Sequence, residues 1–233
     1  MNDSLFFRPC RIVAVACLMT IIAGCGGLMQ KPPTQPAFYS LDNAWSGKRT
    51  ATRQSVASSA APTLIVSPPR AAAGFDSQRI IYTRDTYKLD YFAHSEWIDT
   101  PARMLTPVIV AAIENSIALR AVVPTPSAAA GDLRLDTEIL RLQHDFTGSP
   151  SRVRFTLRAY VVDSATRRVL ASREFDETVT AASEDAYGGV VAANSAVQIA
   201  MEKLANFCVE AAALWQPPVV DVSTRAPSSV PVR

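Results

Sequence analysis

The chain reads as an α+β protein: a two-layer domain with a mainly antiparallel sheet and two helices packed on one face. Three observations predict this. Residues 133–179 form a meander of long β-type runs. One helical pattern precedes the meander and another follows it, so helices and strands are segregated rather than alternating. Apolar residues make up 48% of the 233 positions, enough for a substantial core.

The elements follow in order. Phe38-Tyr39-Ser40-Leu41-Asp42 is a short strand candidate. Asn43 to Pro62 is rich in Ser, Ala, Thr and Arg without a period, and reads as a mobile loop. Thr63 to Ser67 is a β-rich run stopped by Pro68 and Pro69. After a Gly74-Phe75-Asp76 turn, Arg79–Arg84 and Tyr87–Phe92 form a hairpin across Asp85-Thr86. A helix is predicted over Thr100 to Ala118, with Thr100 as N-cap and Pro101 at the first helical position. Leu105, Val108, Ile109, Ala112 and Ile113 recur at helical spacing. Pro107 removes one donor and is expected to bend this helix.

Leu119 to Val123 is a short strand, and Pro124 to Gly131 a loop. The meander follows. Leu133, Leu135, Thr137 and Ile139 share one face, and the phase changes at Leu140 and Leu142. A bulge or a change of packing partner near Ile139 is expected. Val153, Phe155, Leu157, Ala159 and Val161 alternate with Arg152, Arg154, Thr156, Arg158 and Tyr160, giving one buried and one wet face. Val169 to Val179 is the last strand. Glu184 to Trp215 is a long helix whose acidic start suits the positive helix N-terminus. Pro217-Pro218 ends it. Residues 216–233 form a polar, Pro/Ser-rich tail that is expected to be disordered.

The N-terminus carries its own signal. Arg8 and Arg11 precede an apolar run, Ile12 to Gly24, and small residues lead into Cys25. That is the build of a secretory signal peptide. Its 13 residues are short for a spanning helix, which needs about 18. A plain secretory signal is the other alternative. Ile22-Ala23-Gly24-Cys25 resembles the bacterial lipobox. That resemblance implies removal of 1–24 and acylation of Cys25 on thiol and amine, and two membrane signals already give stable anchoring. Gly26, where an aspartate would signal inner-membrane retention, favours by the same resemblance the periplasmic face of the outer membrane. Residues 25–37 then form a lipidated, Pro-rich stalk, and 38–215 the domain.

Removing 1–24 leaves 209 residues, which suits one domain with flexible ends. The net charge of +2 overall gives no basic field for nucleic acid. Cys10 and Cys17 leave with the signal, so Cys208 is the one remaining thiol. It falls in an apolar helical stripe and reads as a buried small hydrophobe.

Chemistry is sparse. His94, between a strand and a helix, and His144, near a strand end, read as surface or turn histidines. There is no C-x-x-C, H-E-x-x-H, G-x-S-x-G or P-loop pattern. Asp132, Asp136 and Glu138 lie on a half-wet strand and read as solvated. No metal or other cofactor is implied, and an enzyme is not expected.

The segment that stands out is Leu89 to Pro101, an aromatic-rich corner where a strand hands over to a helix. Its Tyr91-Phe92-Ala93-His94-Ser95-Glu96-Trp97 stretch joins three other features in order: a lipobox, the strand Phe38-Tyr39-Ser40-Leu41, and the strand Ile80-Ile81-Tyr82. In this the chain resembles the ABC-type transport auxiliary lipoproteins, the PqiC-like family, over roughly residues 38–215. The resemblance implies a non-enzymatic outer-membrane component of an MCE-type lipid transport system. Its partner would be the MCE-domain protein that bridges the periplasm.

Tyr91 and Trp97 are candidate partner-binding anchors, since aromatics are enriched in interface hot spots. The competing reading is that Trp97 packs the helix onto the sheet. Arg152, Arg154 and Arg158 either face solvent or form a site for phospholipid headgroups or an acidic partner, because guanidinium pairs phosphate bidentately. Two other functions fit the same outline: a lipoprotein assisting assembly of an outer-membrane β-barrel, and a tethered hydrolase whose nucleophile nothing marks.

Overall fold

The computed structural model describes residues 35–41, 61–114 and 118–217. Contacts divide the chain into two units, 1–35 and 36–233, and all described residues except Gln35 belong to the second. The signal segment, Cys25, most of the stalk, nearly all of the 43–62 loop and the tail from residue 218 lie outside the described residues.

Among the described residues, nine strands form one mixed sheet. They are β1 (Ala37–Tyr39), β2 (Thr63–Val66), β3 (Arg70–Ala71), β4 (Arg79–Asp85), β5 (Lys88–Trp97), β6 (Ala121–Pro124), β7 (Leu133–Asp145), β8 (Arg152–Asp163) and β9 (Val169–Thr180). The helices among the described residues are α1 (Pro101–Glu114) and α2 (Ala186–Leu214). The fold class is α+β, as the sequence predicts.

The meander β7-β8-β9 is the spine, antiparallel throughout. The other edge of β7 is shared by three short pieces in succession. β2 takes Leu133 to Leu135, β3 takes Glu138 and Ile139, and β4 takes His144 and Asp145, all parallel to β7. Residues 63–83 therefore act as one interrupted strand. Pro68 and Pro69 break it because proline cannot donate to a ladder. β5 returns antiparallel on β4, β1 adds parallel to β5, and β6 adds parallel to β2. The sequence pattern did not disclose the parallel pairings or the two-residue β3.

The expected irregularity near Ile139 is a bulge. Ile139 faces Leu157 and Leu142 faces Phe155, with the register shift between Ile139 and Arg141. One extra residue reverses the alternation, so Leu142 and His144 return to the buried face that Ile139 began.

α2 lies over β8 and β9 and packs against α1, which covers β6 and β3. Phe155, Leu157, Val161, Ile109, Ile113, Met201 and Leu204 fill the space between the layers. Each such side chain contributes about 1.5–3 kcal/mol of burial. Phe207 of α2 meets Phe175 of β9 edge-on at 5.9 Å. Pro107 lies inside α1, which continues through it to Glu114. α2 starts two residues later than expected. Asp185 is its N-cap and accepts from the Gly188 N–H at 2.7 Å. Glu184 instead accepts the Ser151 N–H at 2.9 Å, which takes it out of the helix.

Candidate functional site

The aromatic segment is not a corner. β5 runs through it to Trp97, five residues beyond the predicted end at Phe92. The cause is β1, whose Ala37, Phe38 and Tyr39 pair with Ser95, Glu96 and Trp97 and supply backbone partners there. His94 accordingly sits within a strand, exposed, rather than between strand and helix.

The two aromatic candidates separate. Trp97 is 2% exposed and belongs to the core. Its N–H donates to the Gln78 carbonyl at 2.7 Å. It fixes the end of β5 in the core, so its part in any interface is to position the chain. Tyr91 is 49% exposed, and the Arg79 guanidinium lies 4.1 Å from its ring centroid. Such a cation–π contact stiffens both side chains at a cost of little entropy.

The arginines of β8 lie on the sheet face away from the helices. Arg154 donates to Asp176 at 2.9 Å and Arg158 to Glu174 at 3.0 Å, both across to β9. Hydrogen bonding from Arg154 is the largest cause that lowers the Asp176 carboxyl to about 2. Two of the three guanidiniums therefore already hold carboxylates. Arg152 is exposed at the start of β8.

One histidine departs from expectation. His144 is 2% exposed, neither a surface nor a turn residue. The bulge at 139–141 turns it inward. Its Nε2 shares a hydrogen bond of 2.8 Å with the Ser151 hydroxyl, itself fully buried. Phe146 stacks on the ring at 4.1 Å, with Phe92 and Tyr82 beyond. Nδ1 has no hydrogen-bond partner and faces Gly189 in the first turn of α2. Burial pushes the imidazole pKa down, against the opposing pull of Glu184, Asp185 and Asp145. With Ser151 sealed from solvent, this pair has no access to a substrate.

Cys208 is buried, as expected, and burial pushes its thiol up to about 12. No group of three or more His, Cys, Asp or Glu among the described residues is placed to hold a metal ion. A small cleft of about 290 Å³ is lined by Ser67, Pro68, Arg70, Asp136 and Thr137. The Ser67 hydroxyl donates to Asp136 there at 2.7 Å, while the Thr137 hydroxyl is buried without a hydrogen-bond partner. No described helix is long and apolar enough to cross a membrane.

What the described surface offers is a set of faces for contact: an ion-paired sheet face at one end and an aromatic one at the other. The family model for the ABC-type transport auxiliary lipoprotein component matches residues 40–205. The chain belongs to that family. Among solved structures it is similar to protein XCC0632 from Xanthomonas campestris, a DUF330 protein. That match has 26% identity and a TM-score of 0.60, and covers 65% of this chain and 85% of the other. A second crystal structure, of an uncharacterized protein, shares the fold at 11% identity and a TM-score of 0.57, over 75% of this chain and 99% of the other. No curated protein matches the chain.

The family is one of auxiliary transport lipoproteins, which fits a membrane-anchored periplasmic location. Sequence reasoning missed the buried His144–Ser151 pair and the role of Phe38 and Arg79 beside Tyr91. The bulge that places His144 was legible as a phase change. The parallel β1–β5 pairing that places Phe38 had no local signature.

Proposed function

We propose that this protein is a non-enzymatic accessory of an MCE/ABC-type lipid transport system. Cys25 anchors it at the periplasmic face of the outer membrane, where it receives the far end of the periplasm-spanning MCE-domain protein. The observation that carries this reading is the family match over 40–205, placed behind the lipobox at Ile22–Cys25. The folded domain supports it in that its histidine–serine pair is closed to solvent.

In this reading the lipid anchor fixes where the domain acts, and the Pro-rich stalk sets its reach into the periplasm. The transporter supplies the energy, and this chain supplies position. Genetic epistasis tests the proposal. A strain lacking this protein should share the envelope defect of a strain lacking the transport ATPase, and the double mutant should be no worse. Additive defects would place the two in separate processes and contradict the reading.

A further inference from the structure

The sheet face turned away from the helices changes character along its width. Across β8 and β9 it carries Arg154, Arg158, Glu174 and Asp176, paired strand to strand. Across β1, β5 and β4 it is aromatic and apolar. In β4, Ile80 belongs to the core between the layers, and Arg79 and Ile81 lie on the opposite face. Register sets Phe38 beside Glu96, Glu96 beside Arg79, and Tyr91 beside Ile81. Leu89 pairs with Thr83 on the same side. Phe38, Leu89 and Tyr91 are each about half exposed, at 54%, 49% and 49%. Ile81 is buried beneath them although it stands outside the main core. Half-exposed apolar side chains gathered on one sheet face in this way mark an interaction surface.

We propose that this face is a bilayer-contact surface, resting on the phospholipid interface of the membrane that holds Cys25. The inference rests on the lipid-anchor reading above. The length of the tether supports it. Eleven residues separate Cys25 from β1, so even a fully extended connection reaches only about 40 Å. β1 is the edge strand of this very face. A short tether holds a weak surface at millimolar effective concentration against its target, so a few rings suffice for contact.

The chemistry fits as well. Tyrosine is enriched where a membrane meets water, with its apolar ring inward and its hydroxyl at the headgroups. Arg79 can keep its stem over Tyr91 and its charge in the headgroup layer. Charge favours lipid over a steered protein partner. Glu96 stands beside Arg79, one charge of each sign. The face therefore has no excess of either sign with which to select a charged protein surface.

Spin-label depth measurement on the full acylated chain tests this. Nitroxides are placed by Phe38→Cys, Tyr91→Cys and, at the charged end of the face, Thr178→Cys. Cys208 is buried and stays unlabelled. The probe is a vesicle of phosphatidylethanolamine and phosphatidylglycerol, with no other protein present. The labels at 38 and 91 should lose collisions with a water-soluble nickel chelate several-fold and gain collisions with oxygen, while the label at 178 keeps its aqueous exposure. Equal aqueous exposure at all three sites, on a chain whose N-terminal peptide is acylated by mass spectrometry, overturns the proposal and leaves the anchor reading intact. Protection at 38 and 91 that arises only in native membranes assigns the face to a protein partner and also overturns it. An unacylated Cys25 removes the tether and overturns both.

Discussion

A methyl group placed on Gly189 would lie 2.5 Å from Nδ1 of His144. The helix and the bulged strand approach so closely there that only hydrogen fits between them. Gly189→Ala should therefore overpack the joint and cost about 1–3 kcal/mol. The thermal midpoint should fall by several degrees, while surface substitutions such as Thr178→Ala leave it unchanged. A midpoint for G189A within a degree of the parent would mean that the joint is looser than the structure has it.

The same histidine gives a pH dependence. Burial lowers its folded-state pKa below the ordinary 6.5. Above 6.5 it is neutral in both states, and its contribution is fully present. As pH falls below 6.5 the unfolded chain takes up the proton first, so stability is lost until the folded pKa is passed. One such group contributes at most about 1.4 kcal/mol per pH unit. Urea midpoints from pH 8 to pH 5 should decline less steeply in a His144→Phe/Ser151→Ala variant, which removes the titrating ring and its hydroxyl partner together. Parallel curves for the two proteins would assign the acid sensitivity elsewhere.

Trp97 and Tyr91 should behave oppositely. Trp97→Ala empties a core position and should cost about 3–5 kcal/mol. Tyr91→Ala removes a half-exposed ring and should change stability by roughly 0.5 kcal/mol or less. Chemical denaturation measures both. Comparable losses at the two positions would contradict the placement of Trp97 in the core and Tyr91 on the outer face.

The arginine face should be nearly silent for folding. The Arg154–Asp176 pair is solvent-exposed, so screening reduces it to about 0.2–1 kcal/mol despite the depressed Asp176 carboxyl. That small contribution holds above the ordinary carboxylate range and fades as pH drops toward about 2. Changing Arg152, Arg154 and Arg158 together to Gln should leave the fold intact by circular dichroism. If the face binds phosphate headgroups, flotation with anionic vesicles should weaken in the triple variant of the non-acylated domain. Unchanged flotation would retire a lipid role for these arginines.

Much of this architecture could be read locally. The alternation from Val153 to Val161 and the apolar helical stripe that holds Cys208 each follow one face of one element, and the fold class comes from their order. The bulge near Ile139 announced itself as a change of phase. What stayed hidden depends on residues far apart in the chain. β5 extends to Trp97 because β1 pairs with it from more than fifty residues away. His144 is buried because the bulge and the first turn of α2 meet over it. A strand-end histidine beside Asp145 looks solvated in sequence, and nothing nearby names Gly189 as its neighbour. Tyr91 and Trp97 looked equivalent for the same reason, since exposure is decided by what crosses above each.

The measurement that tests the central claim most directly is purification of this protein from native membranes in mild detergent, with its companions identified by mass spectrometry. An accessory of lipid transport should bring down an MCE-domain protein together with its permease and ATPase. Recovery of an outer-membrane β-barrel in their place would contradict the account and transfer the protein to barrel assembly.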